Sequence, residues 1–288
     1  MPCRRLGYDN GWMRDPRDLA RPESTADALP SPGDGFAWRA SRAGLTIVCD
    51  ALEPYAAHLF TTRVWRLGAA ASDDRDAGWQ QVAEAMGVDA AHLTRLHQVH
   101  GGTVVVRRRG DDVVAEASLA DADILVSDDP SIALAIQTAD CVPLLIADRA
   151  TGAVAAAHAG WRGLAAGVPG IAIRAMRDAF ATTPANVVAA IGPSICADNY
   201  EVDAAVRSGF EAAGATERQL ARWFLPGRRD AHWQFDGWQS ALDQLLDAGV
   251  PRTQIHAARL CTAAHPQFCS YRRDGKGAGR IAAAIRPR

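Results

Sequence analysis

The chain has 288 residues, enough to bury one full core or two small ones. Hydrophobic residues make up 48% and charged residues 22%, the composition of an ordinary globular protein. A formal net charge of -2 and aromatics at 7% with no basic run between them argue against a nucleic-acid partner, and no apolar run reaches the roughly 18 residues that would span a membrane.

In chain order, residues 1–40 come first, with Leu29-Pro-Ser-Pro-Gly-Asp-Gly35 and scattered charges. With little to bury, they read as a poorly ordered N-terminal extension, and residues 41–288 as a single domain. Leu45–Cys49 is a strand candidate. Ala77–Met86 places Trp79, Val82 and Met86 on one helical face. Thr103–Val106 and Ile124–Val126 read as strands, followed by three short apolar runs, Ile132–Ile136, Pro143–Ala147 and Ala153–Ala157, that suit buried strands. Ile171–Phe180 predicts a helix with Ile171, Ala175, Met176, Ala179 and Phe180 facing inward, and Val187–Ile191 a strand stopped by Gly192-Pro193. Glu201–Phe210 spaces Val202, Val206 and Phe210 as one helical face, and Asp236 is positioned to cap a helix carrying Trp238, Ala241, Leu242, Leu245 and Leu246. Ile255–Leu260 and Arg280–Ile285 close the chain as strands. The alternation predicts a mixed α/β fold.

Six cysteines form no C-x-x-C pair, and Met1–Leu6 is not followed by an apolar leader segment. The expectation is a cytoplasmic protein with reduced thiols. Cys49, Cys196 and Cys261 read as structural, and Cys269 has no assigned role.

Polar residues recur at strand ends beside small residues: Gln98-Val-His-Gly-Gly102, Gln137-Thr-Ala-Asp-Cys-Val-Pro143, His158-Ala-Gly-Trp-Arg-Gly163, Ile191-Gly-Pro-Ser-Ile195, and Cys261-Thr262 with Ser270-Tyr-Arg-Arg-Asp-Gly275. Taken singly, His100 reads as a solvated loop histidine, Cys141 as a small buried hydrophobe and His158 as a core histidine. Taken together, one thiolate and two imidazoles are a zinc set with an open fourth position, the mark of a catalytic metal. An antiparallel pairing of Pro143–Ala147 with Ala153–Ala157 would bring Cys141 near His158. Two alternatives stay open on the residues alone. Cys141 is also a candidate nucleophile with His158 or His100 as base and Asp140 orienting it. The same ligands also suit copper, although the chain has eight histidines and no His-x-His of the kind a multicopper cluster needs. Arg162, Arg272 and Arg273 are either ion-pair arginines or anion-binding ones.

These five segments, from about Leu93 to Arg280, resemble the YfiH family, also called the laccase-domain or polyphenol-oxidase family. The resemblance implies a layered sandwich of mixed β-sheets flanked by helices. It implies zinc held by His100, Cys141 and His158, and a zinc-dependent purine nucleoside phosphorylase with adenosine deaminase activity, acting on a purine nucleoside and phosphate. Cys141, Asp140 and Arg162 become catalytic candidates, with Asp140 a possible proton donor. Gln98, Arg63, Arg272 and Arg273 become candidates for the substrate and phosphate. Other activities the resemblance implies are editing of peptidoglycan precursors and copper-dependent phenol oxidation with copper bound adventitiously, and the missing upstream glycine pair leaves open a non-catalytic paralogue that binds metal or nucleotide. The chain departs from the family upstream. Thr61-Thr62-Arg63 is followed by Val64-Trp65-Arg66 instead of a glycine pair, and Gly78-Trp-Gln-Gln81 replaces an Asn-Arg pair. A bulky Val64-Trp65 is therefore expected to narrow the approach to the substrate.

Overall fold

The structure, a computed structural model, describes residues 29–68, 74–112 and 119–288. Its first half contains β1 (Phe36–Ser41), β2 (Gly44–Cys49), β3 (Ala56–Thr61), α1 (Asp74–Ala85), β4 (Leu93–Thr94), β5 (Val104–Arg107), β6 (Ile124–Ser127), β7 (Ala133–Thr138), β8 (Val142–Asp148) and β9 (Val154–Ala159). The second half contains α2 (Trp161–Ala166), α3 (Val168–Phe180), β10 (Val187–Ile191), β11 (Glu201–Asp203), α4 (Ala204–Ala212), α5 (Glu217–Trp223), β12 (Phe224–Pro226), β13 (His232–Phe235), α6 (Gly237–Asp247), β14 (Ile255–Ala257), α7 (Tyr271–Asp274) and β15 (Ile281–Pro287).

Two six-stranded mixed sheets stack on one another, ordered β1-β2-β3-β15-β7-β4 and β14-β10-β8-β9-β6-β5. A small antiparallel sheet, β11-β13-β12, sits beside them. The strands of the second sheet read as unbroken apolar runs because both faces are covered. Along β8, Val142, Leu144 and Ile146 pack under the helices, while Leu145 and Ala147 face the first sheet. The first sheet alternates in the same way. Ile281, Ala283 and Ile285 of β15 face the second sheet, whereas Ala282 and Ala284 join Trp79, Val82 and Met86 of the α1 region on the outer side. The order of layers is therefore α1, sheet, sheet, helices, the layered α/β sandwich expected.

Several elements differ from the sequence reading. Phe36–Ser41, all but Ser41 placed in the extension, is an edge strand paired antiparallel with β2, and Phe36 is buried against Phe60. Two aromatics on a short strand supply enough apolar surface to order it, since Trp38 also stacks on Phe268 at 5.9 Å. Residues 1–28 lie outside the described residues. The α3 helix starts at Val168, after Gly167 in a left-handed turn, and buries Val168, Ala172, Ile173 and Met176; Ile171, Ala175, Ala179 and Phe180 are only half-buried. Val168, Ala172, Ile173 and Met176 recur on the helical period and form the stripe that enters the core. Glu201–Asp203 is a strand, and the helix begins only at Ala204, because the Asp203 carboxylate accepts the Ala205 and Val206 N–H groups. Asp236 caps α6 by accepting from Gln239 N–H, as expected. β14 ends at Ala257, where the Ala258 N–H turns to the Ile191 carbonyl. No helix among the described residues is long and apolar enough to cross a membrane.

Candidate metal centre and its cavity

β8 and β9 pair antiparallel, with Val142 opposite Ala159 and Pro143 opposite His158. That register puts Cys141, just before β8, across from Gly160, just after β9. His100 arrives from the loop before β5. One ligand atom from each of His100, Cys141 and His158 lies within 4.8 Å of the others. The two imidazoles meet edge to face at 4.8 Å between ring centres.

A residue that the sequence did not single out, Asp123, builds this arrangement. Its buried carboxylate accepts the His158 Nδ1–H at 2.7 Å. It also accepts the backbone N–H groups of Val99 (3.3 Å), His100 (3.0 Å) and Gly101 (2.6 Å), while its own carbonyl accepts the His158 N–H. One carboxylate thus fixes the His158 tautomer, leaving Nε2 to face Cys141, and pins the loop on which His100 adopts a left-handed φ of 62°. Burial pushes the Asp123 carboxyl up, but these hydrogen bonds and the His158 charge outweigh it and hold it below its ordinary range. The signal in the sequence was an acid between Ala122 and Ile124 at the mouth of a fully buried strand.

Burial pushes the Cys141 thiol up, and the positive charge of His158 with hydrogen bonds from both histidines brings it down to about 6. For His158 burial acts downwards, yet the Cys141 and Asp123 charges raise it to about 9. The thiol and the two imidazoles are already pointed at one place. A soft-to-borderline cation there would meet one sulfur and two nitrogens, with a carboxylate behind one imidazole, and the donor set fits zinc. Gly160 keeps the space clear, since a Cβ there would sit 3.0 Å from Cys141 Sγ and 3.1 Å from the His100 ring. Among the described residues this is the one such group, so they build no multinuclear copper cluster.

The three side chains form part of the wall of a cavity of about 580 Å³. Val142, Leu164, Ile195 and Phe235 give it an apolar lining, and Trp161, Tyr200 and Tyr271 add aromatic faces. Gln98, Gln137, Thr138, Asp140, Arg272 and Arg280 supply the polar wall.

A family model described as multi-copper polyphenol oxidoreductase laccase matches residues 66–288. A purine nucleoside phosphorylase of Deinococcus radiodurans is 37% identical over 240 residues, which are 79% of this chain and 88% of that protein. Purine nucleoside phosphorylase YfiH of Escherichia coli is 38% identical over 191 residues, 66% of this chain and 72% of that one. The chain belongs to the YfiH, or laccase-domain, family. The crystal structure of YlmD from Geobacillus stearothermophilus superposes on it with a TM-score of 0.74 at 26% identity, covering 87% of this chain and 98% of that one.

Within this YfiH-family cavity the other predicted residues take varied positions. Gln98 lines the wall, but both ends of its amide are engaged. Nε2 donates to the Gln137 carbonyl at 2.9 Å, and Oε1 accepts the Gln137 N–H at 2.8 Å. Asp140, at a left-handed φ of 89°, accepts from Thr262 Oγ1 and from the Arg272 N–H, each at 2.6 Å. It fastens the Cys141 loop to the final motif, with each of its oxygens accepting one hydrogen bond. Arg272 reaches the cavity over the Tyr200 ring, 5.1 Å from its centre. Arg273 instead donates to the carbonyls of Thr262 and Phe268 and pairs with Asp274, a structural clamp outside the cavity. Arg162 is exposed and stacks on Trp161 at 4.3 Å, also outside the lining. Arg63 is exposed and donates to the Pro266 carbonyl. Val64 and Trp65 do not narrow the cavity. Val64 is exposed against Gly44, and Trp65 is buried in the outer core with its indole N–H on the Leu45 carbonyl. Arg280 and Tyr200, which the sequence did not single out, do line it. Nothing near either residue in the sequence marks it, since only the return of β15 and the turn before β11 bring them there.

Proposed function

We propose that the protein is a zinc-dependent enzyme acting on purine nucleosides, by phosphorolysis of inosine or adenosine together with deamination of adenosine. The reading rests first on the convergence of His100, Cys141 and His158 in the wall of a cavity large enough for a nucleoside. The names of the family relatives add support. His100, Cys141 and His158 would hold the zinc, and when bound it supplies Lewis acidity, the property that brings water ionisation close to neutral pH.

The chain's own groups account for the rest. Flat apolar and aromatic walls suit a purine, and Asp123 keeps His158 oriented throughout. Phosphorolysis forms a bond from an oxygen of hydrogen phosphate to C1′ as the C1′–N9 bond breaks, and the proton that hydrogen phosphate gives up ends on the departing base. The cavity guanidinium groups, Arg272 and Arg280, hold the phosphate, whose charge they match. Tyr200, which burial pushes up to about 12, keeps its proton at neutral pH and offers a hydrogen-bond donor to the substrate.

Elemental analysis joined to product detection tests this. The expected result is close to one zinc per chain, sharply reduced in Cys141→Ser. Inosine with phosphate should yield hypoxanthine and a ribose phosphate, and adenosine alone should yield inosine. If the zinc-loaded protein turns over no nucleoside, the reading fails, and a muropeptide substrate or a metal-binding role replaces it.

A further inference from the structure

Behind the metal centre lies a pair of sulfurs that the nucleoside reading does not use. Cys196 follows β10 in the loop that leads to the turn at Ala197–Asn199, and Cys261 lies beyond β14. The two segments run side by side: Ser194 bridges Cys261 in parallel, Ser194 N–H donates to the Leu260 carbonyl, and Thr262 N–H donates to the Ser194 carbonyl. Both side chains are buried thiols. The Cys196 side chain hydrogen-bonds that of Cys261, and the Cys196 backbone N–H is 3.2 Å from Cys261 Sγ. A single donor, Asn199 Nδ2, sits 3.3 Å from both sulfurs. Asn199 is itself exposed, so the donor shared by the two buried sulfurs belongs to a residue that reaches solvent.

We propose that Cys196 and Cys261 form a peroxide-reactive dithiol that closes to a disulfide. The reaction stands independently of the nucleoside activity. The Cys261 thiolate attacks one oxygen of a hydroperoxide, the O–O bond breaks, and hydroxide (or alkoxide) leaves and takes a proton, giving a sulfenic acid. The Cys196 sulfur then attacks the Cys261 sulfur. The S–S bond forms as the S–O bond breaks, and water carries off the hydroxyl with the Cys196 proton. Two thiols lose two electrons in total, and the peroxide gains them. Hydrogen bonds from the Cys196 side chain and backbone N–H and from Asn199 favour the attacking thiolate, and against the opposing effect of burial they hold the Cys261 thiol below its ordinary value. Asn199 Nδ2 at 3.3 Å from each sulfur gathers both thiols around one donor, and the bond that would join them is about 2.05 Å long. The pair also has a structural reach. Ile195 N–H holds the Asp140 carbonyl and Thr262 Oγ1 holds the Asp140 carboxylate, so the new bond would tie together the two segments that grip the residue preceding Cys141.

The test treats zinc-loaded, full-length protein with hydrogen peroxide, with and without dimedone, then counts and maps thiols by alkylation in denaturant and mass spectrometry. The expected product is a peptide pair joined through Cys196 and Cys261, reversed by dithiothreitol. In Cys196→Ser the sulfenic acid has no resolving thiol, so dimedone labelling of Cys261 should rise at least about tenfold above wild type. Cys261→Ser should abolish both products. Full alkylation of both thiols after peroxide, or equal dimedone labelling of Cys261 in wild type and Cys196→Ser, would overturn the proposal.

Discussion

Asp123 holds two of the candidate metal ligands at once, through the His158 ring and the backbone beneath His100. Asp123→Asn removes the charge and half the acceptor capacity while keeping the shape. Zinc affinity should fall by about ten- to a hundredfold, the usual effect of losing such a supporting carboxylate, and a chelator competition measures it. The arginines of the cavity wall give a second test. Arg272→Ala or Arg280→Ala removes a charge-assisted hydrogen bond and should raise the phosphate KM by about ten- to a hundredfold, while adenosine deamination changes less. Arg63→Ala should leave both nearly unchanged, because its side chain lies outside the cavity. A third residue test concerns acid. His58 is buried on β3, where Nε2 accepts the Cys49 N–H at 2.8 Å and must therefore stay unprotonated. Burial holds its imidazole below the ordinary value. The unfolded chain then binds more protons than the folded one as pH falls through about 6.5, so this contribution is present above that pH and lost below it. Urea unfolding of His58→Gln across pH 7.5 to 5 should show a shallower loss of stability than wild type; parallel slopes would exclude His58 as a source. At this scale the convergence of His100, Cys141 and His158 was legible, because each stands in a distinctive small-residue motif. Asp123, Tyr200 and Arg280 were not, because their roles depend on which strands lie side by side.

Among the elements, the apolar runs that became β6 to β10 were legible to within a residue or two, since strands covered on both faces leave a continuous hydrophobic signature. The β1 strand was missed because Arg39, Ala40 and Ser41 are exposed and only its first half is apolar enough to register. Glu201–Phe210 misled in the other direction: Val202 falls on the helical period but belongs to a strand, and the Asp203 cap decides where the helix begins. Removing residues 29–41 together with those before them should lower the melting temperature and promote aggregation. It bares the β2 edge and uncovers Phe60 and Phe268. A truncation ending at residue 28 is expected to keep both zinc content and melting temperature, and loss of soluble protein would show that the segment contributes to the fold. The junction of the two sheets can be probed at Gly192, just past β10. A Cβ there would fall 2.2 Å from the Phe60 ring of the opposing sheet. Gly192→Ala should cost about 1–3 kcal/mol in denaturant unfolding, and Phe60→Leu should recover part of it.

Across the whole molecule, the first sheet depends on contacts between distant parts of the chain. β15 lies between β3 and β7 and pairs antiparallel with both, and the Ala282 N–H donates to Thr61 Oγ1 across 221 residues. Such pairings slow folding, because a long loop must close before any of them forms. The metal centre is built on the opposite plan. His100, Asp123, Cys141 and His158 sit on or beside β5, β6, β8 and β9, a contiguous stretch of chain. During synthesis, all four leave the ribosome well before β15 is made. A zinc ion captured at that stage would staple the second sheet's strands while the first sheet still lacks its middle, so metal supply would act on the yield of folded protein as well as on its chemistry.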